Sequence, residues 1–236
     1  MSIYRTLKIY TKQKAFYFEL NRNEYLRKQV SGKTVLHIGC SDFPITKQRI
    51  HDGTLLHALI QKNAQKILGI DLSEEGIAIL NECGFEDVCI MNAESMKLNS
   101  KFDIILAGDV LEHLNNPGLF LEKICSLLNP GGELIVGVPS ALTINNLKAW
   151  FFGWEQVHVD HTFYFSPKTL STLCSRFNLL PTKLVFTVQS PGQYESSLFL
   201  FARRILLRFF KSMAPSIIMH FKAAHEVDNG SFIEWK

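Results

Sequence analysis

The sequence predicts an α/β fold built on a doubly wound, mostly parallel sheet with helices on both faces. Three observations lead there. From Thr34 to Val138, short β-branched runs alternate with amphipathic segments. The runs Thr34–Ile38, Lys66–Ile70, Val88–Met91, Phe102–Ala107 and Glu133–Val138 are continuous and apolar, as strands buried on both faces must be. A length of 236 residues supplies one such domain with a sizeable core and is short for two.

The remaining elements follow in order. Residues 1–32 read as an N-terminal helical extension, with Ser31-Gly32-Lys33 as the entry turn. Helices are expected over Thr54–Asn63, Ser73–Cys83 and Gly118–Leu128. Ser73 is the N-cap of the second, where Glu74 and Glu75 suit the helix dipole. Asn129-Pro130-Gly131-Gly132 stops the third and turns the chain. A long loop rich in Trp, Phe and His runs from Pro139 to about Ser166, and Ser166-Pro167 opens a further helix. Lys183–Gln189 and Ile217–Phe221 read as strands with a helical insertion between them. The core is therefore expected over residues 33–190, with residues 191–236 forming a basic amphipathic helix and last strand of the same domain.

Composition narrows the class. With 47% hydrophobic and 20% charged residues the chain is neither disordered nor fibrous. Twenty-five basic against 22 acidic residues give a net charge of +3, too mild for a dedicated nucleic-acid binder. Five scattered cysteines form no C-x-x-C pair, so neither a disulfide framework nor a zinc site is expected. No apolar run suits a signal peptide or a spanning helix. A cytoplasmic setting is the expectation, alone or with contact at the inner membrane surface.

A doubly wound sheet binds ligands beyond the carboxyl ends of its strands. The first strand is followed by Gly39-Cys40-Ser41-Asp42, a turn of small residues that admits a ligand close to the backbone. The second ends on Asp71, a carboxylate able to accept hydrogen bonds from the vicinal hydroxyls of a ribose. Asn92-Ala93-Glu94 follows the third and Gly108-Asp109-Val110-Leu111-Glu112-His113 the fourth. A nicotinamide-dinucleotide site is disfavoured, because its glycines are missing and Asp71 lies well beyond the expected spacing of about 20 residues. No P-loop sequence is present.

Taken in register, these segments resemble the class I S-adenosylmethionine-dependent methyltransferases over about residues 33–180. Val35-Leu36-His37-Ile38-Gly39-Cys40 resembles the family's first motif, Gly69-Ile70-Asp71 its ribose-binding strand end, and Asn92-Ala93-Glu94 its adenine segment. Phe102-Asp103-Ile104-Ile105, Leu111-Glu112-His113-Leu114 and Leu128-Asn129-Pro130-Gly131-Gly132-Glu133-Leu134 complete the set. The segment from Asp160 to Ser166 is similar to the branch acting on sugars, lipids and quinone precursors. The likeness implies a seven-stranded Rossmann-like sheet and S-adenosylmethionine as cofactor. It implies cofactor contacts at His37, Gly39, Cys40, Ser41, Asp71, Leu72, Asn92, Ala93, Glu94 and Asp109. The chain departs from the pattern at His37, where the family carries an acid, at Ser41 and Phe43, where it carries glycines, and at Asn92, where Asp is common.

The implied reaction passes a methyl group to a small-molecule, saccharide or lipid-linked acceptor, foremost on oxygen. A hydroxyl acceptor needs a base, and His113, His158 and His161 are the candidates, with Asp160 able to orient an imidazole. Each has a plainer reading: His113 as packing beneath the loop, and the His158–His161 stretch as the ordering of a lid. Asp109 and Glu112 could equally be solvated acids at a helix start. The stretch lacks an H-E-x-x-H pattern, and no metal is expected. Trp150, Phe151, Phe152, Trp154, Phe163, Tyr164 and Phe165 would form either an acceptor pocket or core packing. In residues 197–211, Arg204, Arg208 and Lys211 share one helical face against Leu198, Phe201, Ile205 and Phe209. That helix would either lie on anionic lipid or cover protein. The departures at the first motif leave a second function open, a catalytically silent binding or scaffold protein.

Overall fold

The computed structural model describes residues 16–19, 21–155, 157–188, 210, 213–227 and 232–233. The expected helix over residues 197–211 lies outside them, apart from Phe210.

The strands are β1 (Phe16–Glu19), β2 (Thr34–Ile38), β3 (Lys66–Asp71), β4 (Val88–Ile90), β5 (Phe102–Gly108), β6 (Leu128–Pro139), β7 (Leu179–Thr187) and β8 (Ser216–Ala223). They form one sheet in the order β1-β7-β8-β6-β5-β2-β3-β4. Every pairing is parallel except those of β8 with β6 and β7. The seven strands expected are all present. An eighth, β1, adds to the edge in parallel with β7, within the stretch read as wholly helical. Four residues before a helix carry too short a pattern to announce an edge strand, whose pairing is made entirely by distant β7.

The helices are α1 (Arg22–Gln29), α2 (Thr46–His51), α3 (Leu56–Gln61), α4 (Glu74–Glu82), α5 (Pro117–Leu127), α6 (Ile144–Phe151) and α7 (Pro167–Ser175). Residues alternate across the sheet as a two-residue period requires. Val35, Ile104, Leu106 and Ile135 meet Tyr25, Leu26 and Ile60 of α1 and α3 on one face. Leu36, Ile38, Ile105 and Leu134 meet Phe120, Ile124 and Leu170 of α5 and α7 on the other. The caps act as the sequence indicates. Ser73 Oγ accepts from Gly76 N at 2.9 Å, and Ser166 forms a capping box with Thr169.

Long-range polar pairs fix the frame. Asp103 Oδ2 accepts from Thr34 N and Oγ1, each at 2.8 Å, while Oδ1 accepts from Asn129 Nδ2 at 2.8 Å. This ties together the starts of β2, β5 and β6 and holds the Asp103 carboxyl below its usual range, chiefly through the Thr34 backbone N–H. On the opposite side, Tyr25 Oη meets His220 Nε2 at 2.8 Å, and His220 Nδ1 meets Glu133 Oε2 at 2.9 Å. That chain anchors α1 to β8 and β6. Arg22, three residues before Tyr25, is thereby held over the sheet.

Two loops differ from expectation. The small-residue turn after β2 continues into α2, and α3 occupies only the middle of the expected Thr54–Asn63 helix. The long loop after β6 contains α6, capped by Thr143 Oγ1 accepting from Asn146 N.

Candidate active site

Strand order reverses between β2 and β5, so their carboxyl ends diverge and leave a cleft. It encloses about 760 Å3 and is lined by Gly39, Asp71, Asn92, Asp109, His113 and His161, among others. Gly39 has φ of +73°, and a Cβ there would stand 2.7 Å from Val110 Cγ2, so glycine is required on both counts. Gly39 N donates to Ile70 O at 2.8 Å, which seats the turn on β3.

Asp71 stands at the carboxyl end of β3. Its Oδ2 accepts from Ser41 N at 2.9 Å and Ser41 Oγ at 2.8 Å, and its Oδ1 accepts from Ser73 N at 3.0 Å. The carboxylate is locked in place, and Oδ1, which accepts a single bond, keeps a lone pair for a further donor. Ser41 is buried behind it and does not line the cleft, so its role is to hold Asp71. Leu72, Asn92 and Ala93 line the wall beyond, with Asn92 Oδ1 accepting from Glu94 N at 2.8 Å. Glu94 turns away from the cleft, and its Oε1 accepts from Asn116 N at 2.6 Å, bracing the cap of α5. Cys40 lines the cleft with a thiol that burial pushes up, which leaves it unreactive.

The opposite end holds a residue that the sequence did not indicate. Arg22 from α1 lies across the ends of β5 and β6, where a Cβ on Gly108 or Gly137 would stand 2.8 or 3.0 Å from Arg22 Nη2. Its Nη1 pairs with Asp109 Oδ2 at 2.9 Å. Nε and Nη2 are buried without a hydrogen-bond partner among the described residues. Asp109 is thus no solvated helix-start acid. It sits at φ of +56°, paired with Arg22 on the cleft wall. The only signals in the sequence were the two glycines at the strand ends, and they do not say which side chain fills the space.

His37 also lines the cleft, yet only 2% of it is exposed, and its Nδ1 meets Nδ1 of His57 at 3.1 Å. Burial drives the His37 imidazole well below its usual pKa, so the ring is neutral.

The three candidate bases gather at the mouth. Ring centroids lie 4.7 Å apart for His113 and His161, 5.1 Å for His158 and His161, and 6.1 Å for His113 and His158. Thr162 brings them together, its N and Oγ1 donating to Glu112 O at 2.8 and 3.0 Å. Burial, with His113 and His158 adding, lowers the pKa of His161, so it is a free base at neutral pH. Asp160 faces His158, with Oδ2 3.7 Å from Nδ1. Glu112 is 1% exposed, far from the solvated acid considered above. Both of its carboxylate oxygens are sealed without a partner among the described residues. Burial pushes its pKa up to about 8, with Asp109 adding to the rise. Glu112, His113 and His161 each offer one ligand atom within 4.8 Å of the others, a spacing open to a metal ion.

A second cavity of about 230 Å3 opens on the far side of His158 and His161, which line both spaces. Ser140, Asn145, Asn146, Phe163 and Tyr164 line it, and among the described residues no carboxylate, lysine or arginine does.

This mostly parallel sheet with a small-residue turn, an acidic strand end and a cleft at the reversal of strand order is a nucleoside-binding architecture. A family model described as a methyltransferase domain matches residues 12–184, and the chain belongs to that family. The ubiquinone biosynthesis O-methyltransferase of Coxiella burnetii is 27% identical over 156 residues, which cover 62% of this chain and 59% of that protein. The protein of the same name from Nitrobacter winogradskyi is 30% identical over 141 residues, 57% of this chain and 48% of its own length. The chain thus spans less than two thirds of either relative. A solved S-adenosylmethionine-dependent methyltransferase from Mesorhizobium loti shares the fold at a TM-score of 0.54 and 14% identity, over 84% of this chain and 95% of that one.

Proposed function

We propose that the protein transfers a methyl group from S-adenosylmethionine to oxygen on a small, uncharged acceptor. The observation that carries this is the cleft's pair of opposed ends. Arg22 sets a guanidinium in the cleft wall at one end, and Asp71 offers a fixed lone pair at the other. They suit the two polar extremes of that cofactor, a carboxylate and a ribose diol. The Gly39 turn and the Asn92–Ala93 wall accommodate the body between them.

When bound, the cofactor supplies an electrophilic methyl carbon, so the protein's task is to position the acceptor and manage one proton. His161 lines both the cleft and the second cavity and takes the proton of the acceptor hydroxyl on an imidazole nitrogen. His113 and His158 hold its ring in place. The second cavity takes the acceptor, and its lining, which carries no carboxylate, lysine or arginine among the described residues, favours a neutral molecule.

Beside it, α6 and the following loop leave Trp150, Phe151, Phe152, Trp154 and Val159 exposed, Phe151 by 83% and Val159 by 90%. Isolated surface apolar residues need no explanation, but a cluster at the mouth of a cleft does. It supports an acceptor with an apolar or lipid-linked portion, handled where the protein touches a membrane surface. Among the described residues no helix is long and apolar enough to cross a membrane.

Titration calorimetry with S-adenosylmethionine and S-adenosylhomocysteine, on the wild type and Asp71→Ala, tests the reading. Binding that falls at least about tenfold in the variant is expected, the scale of one lost charge-assisted hydrogen bond. A well-folded wild type that binds neither compound overturns the proposal. Binding without turnover across a broad panel of neutral hydroxyl acceptors would support the silent reading instead.

A further inference from the structure

His37 stands on β2 between Gly69 of β3 and Leu106 of β5. Gly69 carries no side chain, and a Cβ there would lie 2.7 Å from His57 Cε1. That gap lets His57 reach across β3 from α3. The two ring planes differ by 6°, their centroids are 5.3 Å apart, and their Nδ1 atoms are 3.1 Å apart. Nearly parallel rings joined this closely through Nδ1, with centroids this far apart, lie edge to edge. The contact is a head-on hydrogen bond, and one proton sits in it.

Both rings are neutral, because burial lowers the pKa of each, that of His57 to about 4. Each therefore carries one proton, and the shared bond couples the two tautomers. His57 Nε2 is sealed from solvent and has no partner among the described residues. Were His37 the donor, the proton of His57 would sit on that nitrogen as a buried, orphaned N–H, the rarer and costlier defect. With His57 as the donor, His37 carries its proton on Nε2. His37 makes no other hydrogen bond among the described residues, its Nε2 is not sealed as that of His57 is, and the ring lines the cleft that Arg22 also lines.

We propose that His57 acts as a positioning residue that fixes His37 as an Nε2–H donor, and that this donor and Arg22 together bind the carboxylate of the cofactor's amino-acid end. The inference rests on the methyltransferase reading. It gives a physical sense to His37 at a motif position where the family carries an acid. A neutral donor adds no further carboxylate to Asp109 and Asp42, which already act on Arg22, whereas an acid there would compete with an incoming anion for the guanidinium.

Two measurements test this. Long-range nitrogen–proton NMR on the wild type reads the tautomers directly, with Nε2–H expected for His37 and Nδ1–H for His57. Calorimetry then compares S-adenosylhomocysteine with 5′-methylthioadenosine, which lacks the amino-acid end. His37→Glu should weaken the first by about tenfold or more, on the scale of a lost hydrogen bond to a charged group, and leave the second unchanged. His57→Phe should weaken the first by a smaller factor, and His37→Gln, which can still donate, should restore most of the affinity. An Nδ1–H tautomer at His37, or equal effects of His37→Glu on both compounds, overturns the proposal. If the wild type binds neither compound, the methyltransferase reading fails, and the tautomers still decide whether His57 sets the proton of His37.

Discussion

The Arg22 end of the cleft and its histidine-lined mouth are built on opposite principles. At the Arg22 end, polar groups are buried and locked: Arg22 against Asp109, His37 against His57, and α1 anchored through Tyr25 and His220. At the mouth, three histidines lean on one another beside a loop that leaves its aromatic residues in solvent. The locked end suits recognition of an invariant ligand, since preorganised groups lose little freedom on binding. The open end suits a variable acceptor and proton transfer, which need access and a free base.

The sharpest way to break the comparison is at the mouth. His161→Ala should lower kcat by roughly 10²–10⁴-fold, the range for loss of a general base, with cofactor affinity unchanged by calorimetry. Because burial and its histidine neighbours lower the pKa of His161, the acid limb of the wild-type kcat profile should fall below pH 6.5. An acid limb at or above pH 6.5, or one that persists unchanged in His161→Ala, would remove His161 as base.

Next in size is the locked end. Arg22→Ala leaves the half-buried Asp109 without its cation and should cost about 2–5 kcal/mol, shared between folding and cofactor binding. Thermal denaturation and titration calorimetry measure the two parts. Affinity for S-adenosylhomocysteine equal to the wild type would show that the guanidinium serves the fold alone.

Glu112 lies between the two ends and gives a pH signature. Its folded-state pKa of about 8 exceeds the ordinary 4.5. Between those values the folded protein keeps a proton that the unfolded chain releases, so stability falls as pH rises through that window and levels off above it. Glu112→Gln removes this dependence and should be the more stable variant at pH 9 by on the order of 2–4 kcal/mol, with little difference near pH 4. Parallel melting curves for the two proteins across pH 4–9 would count against a buried neutral Glu112.

The smallest effect is expected on the aromatic surface. Phe151→Ser with Trp154→Ser should change stability by less than about 0.5 kcal/mol per site, as exposed positions do, while raising KM for acceptors with long apolar chains. An equal rise for short acceptors would separate the surface from acceptor binding.

The sequence reading and the structure agree wherever a local pattern carries the information. The apolar runs place β2 to β6, Ser73 and Ser166 mark their helix starts, and the ends of strands place Gly39, Asp71 and Asn92 in the cleft. Ser41 and Glu94 were expected against the cofactor, but they brace Asp71 and α5. Their neighbours in sequence line the cleft, and only the local turn geometry decides which side chain faces inward.

By itself, then, the sequence determined the doubly wound sheet, the end of it that binds and the residues leaving its strands, because periodicity and strand order are properties of short segments. The tertiary structure alone decided that β1 joins the sheet, that Arg22 reaches the cleft, that Glu112 is sealed and neutral, and that His57 meets His37 across Gly69. Each of these is a contact between residues far apart in the chain. Burial and charge pairing there are set by whatever the fold brings alongside, a quantity no local pattern encodes.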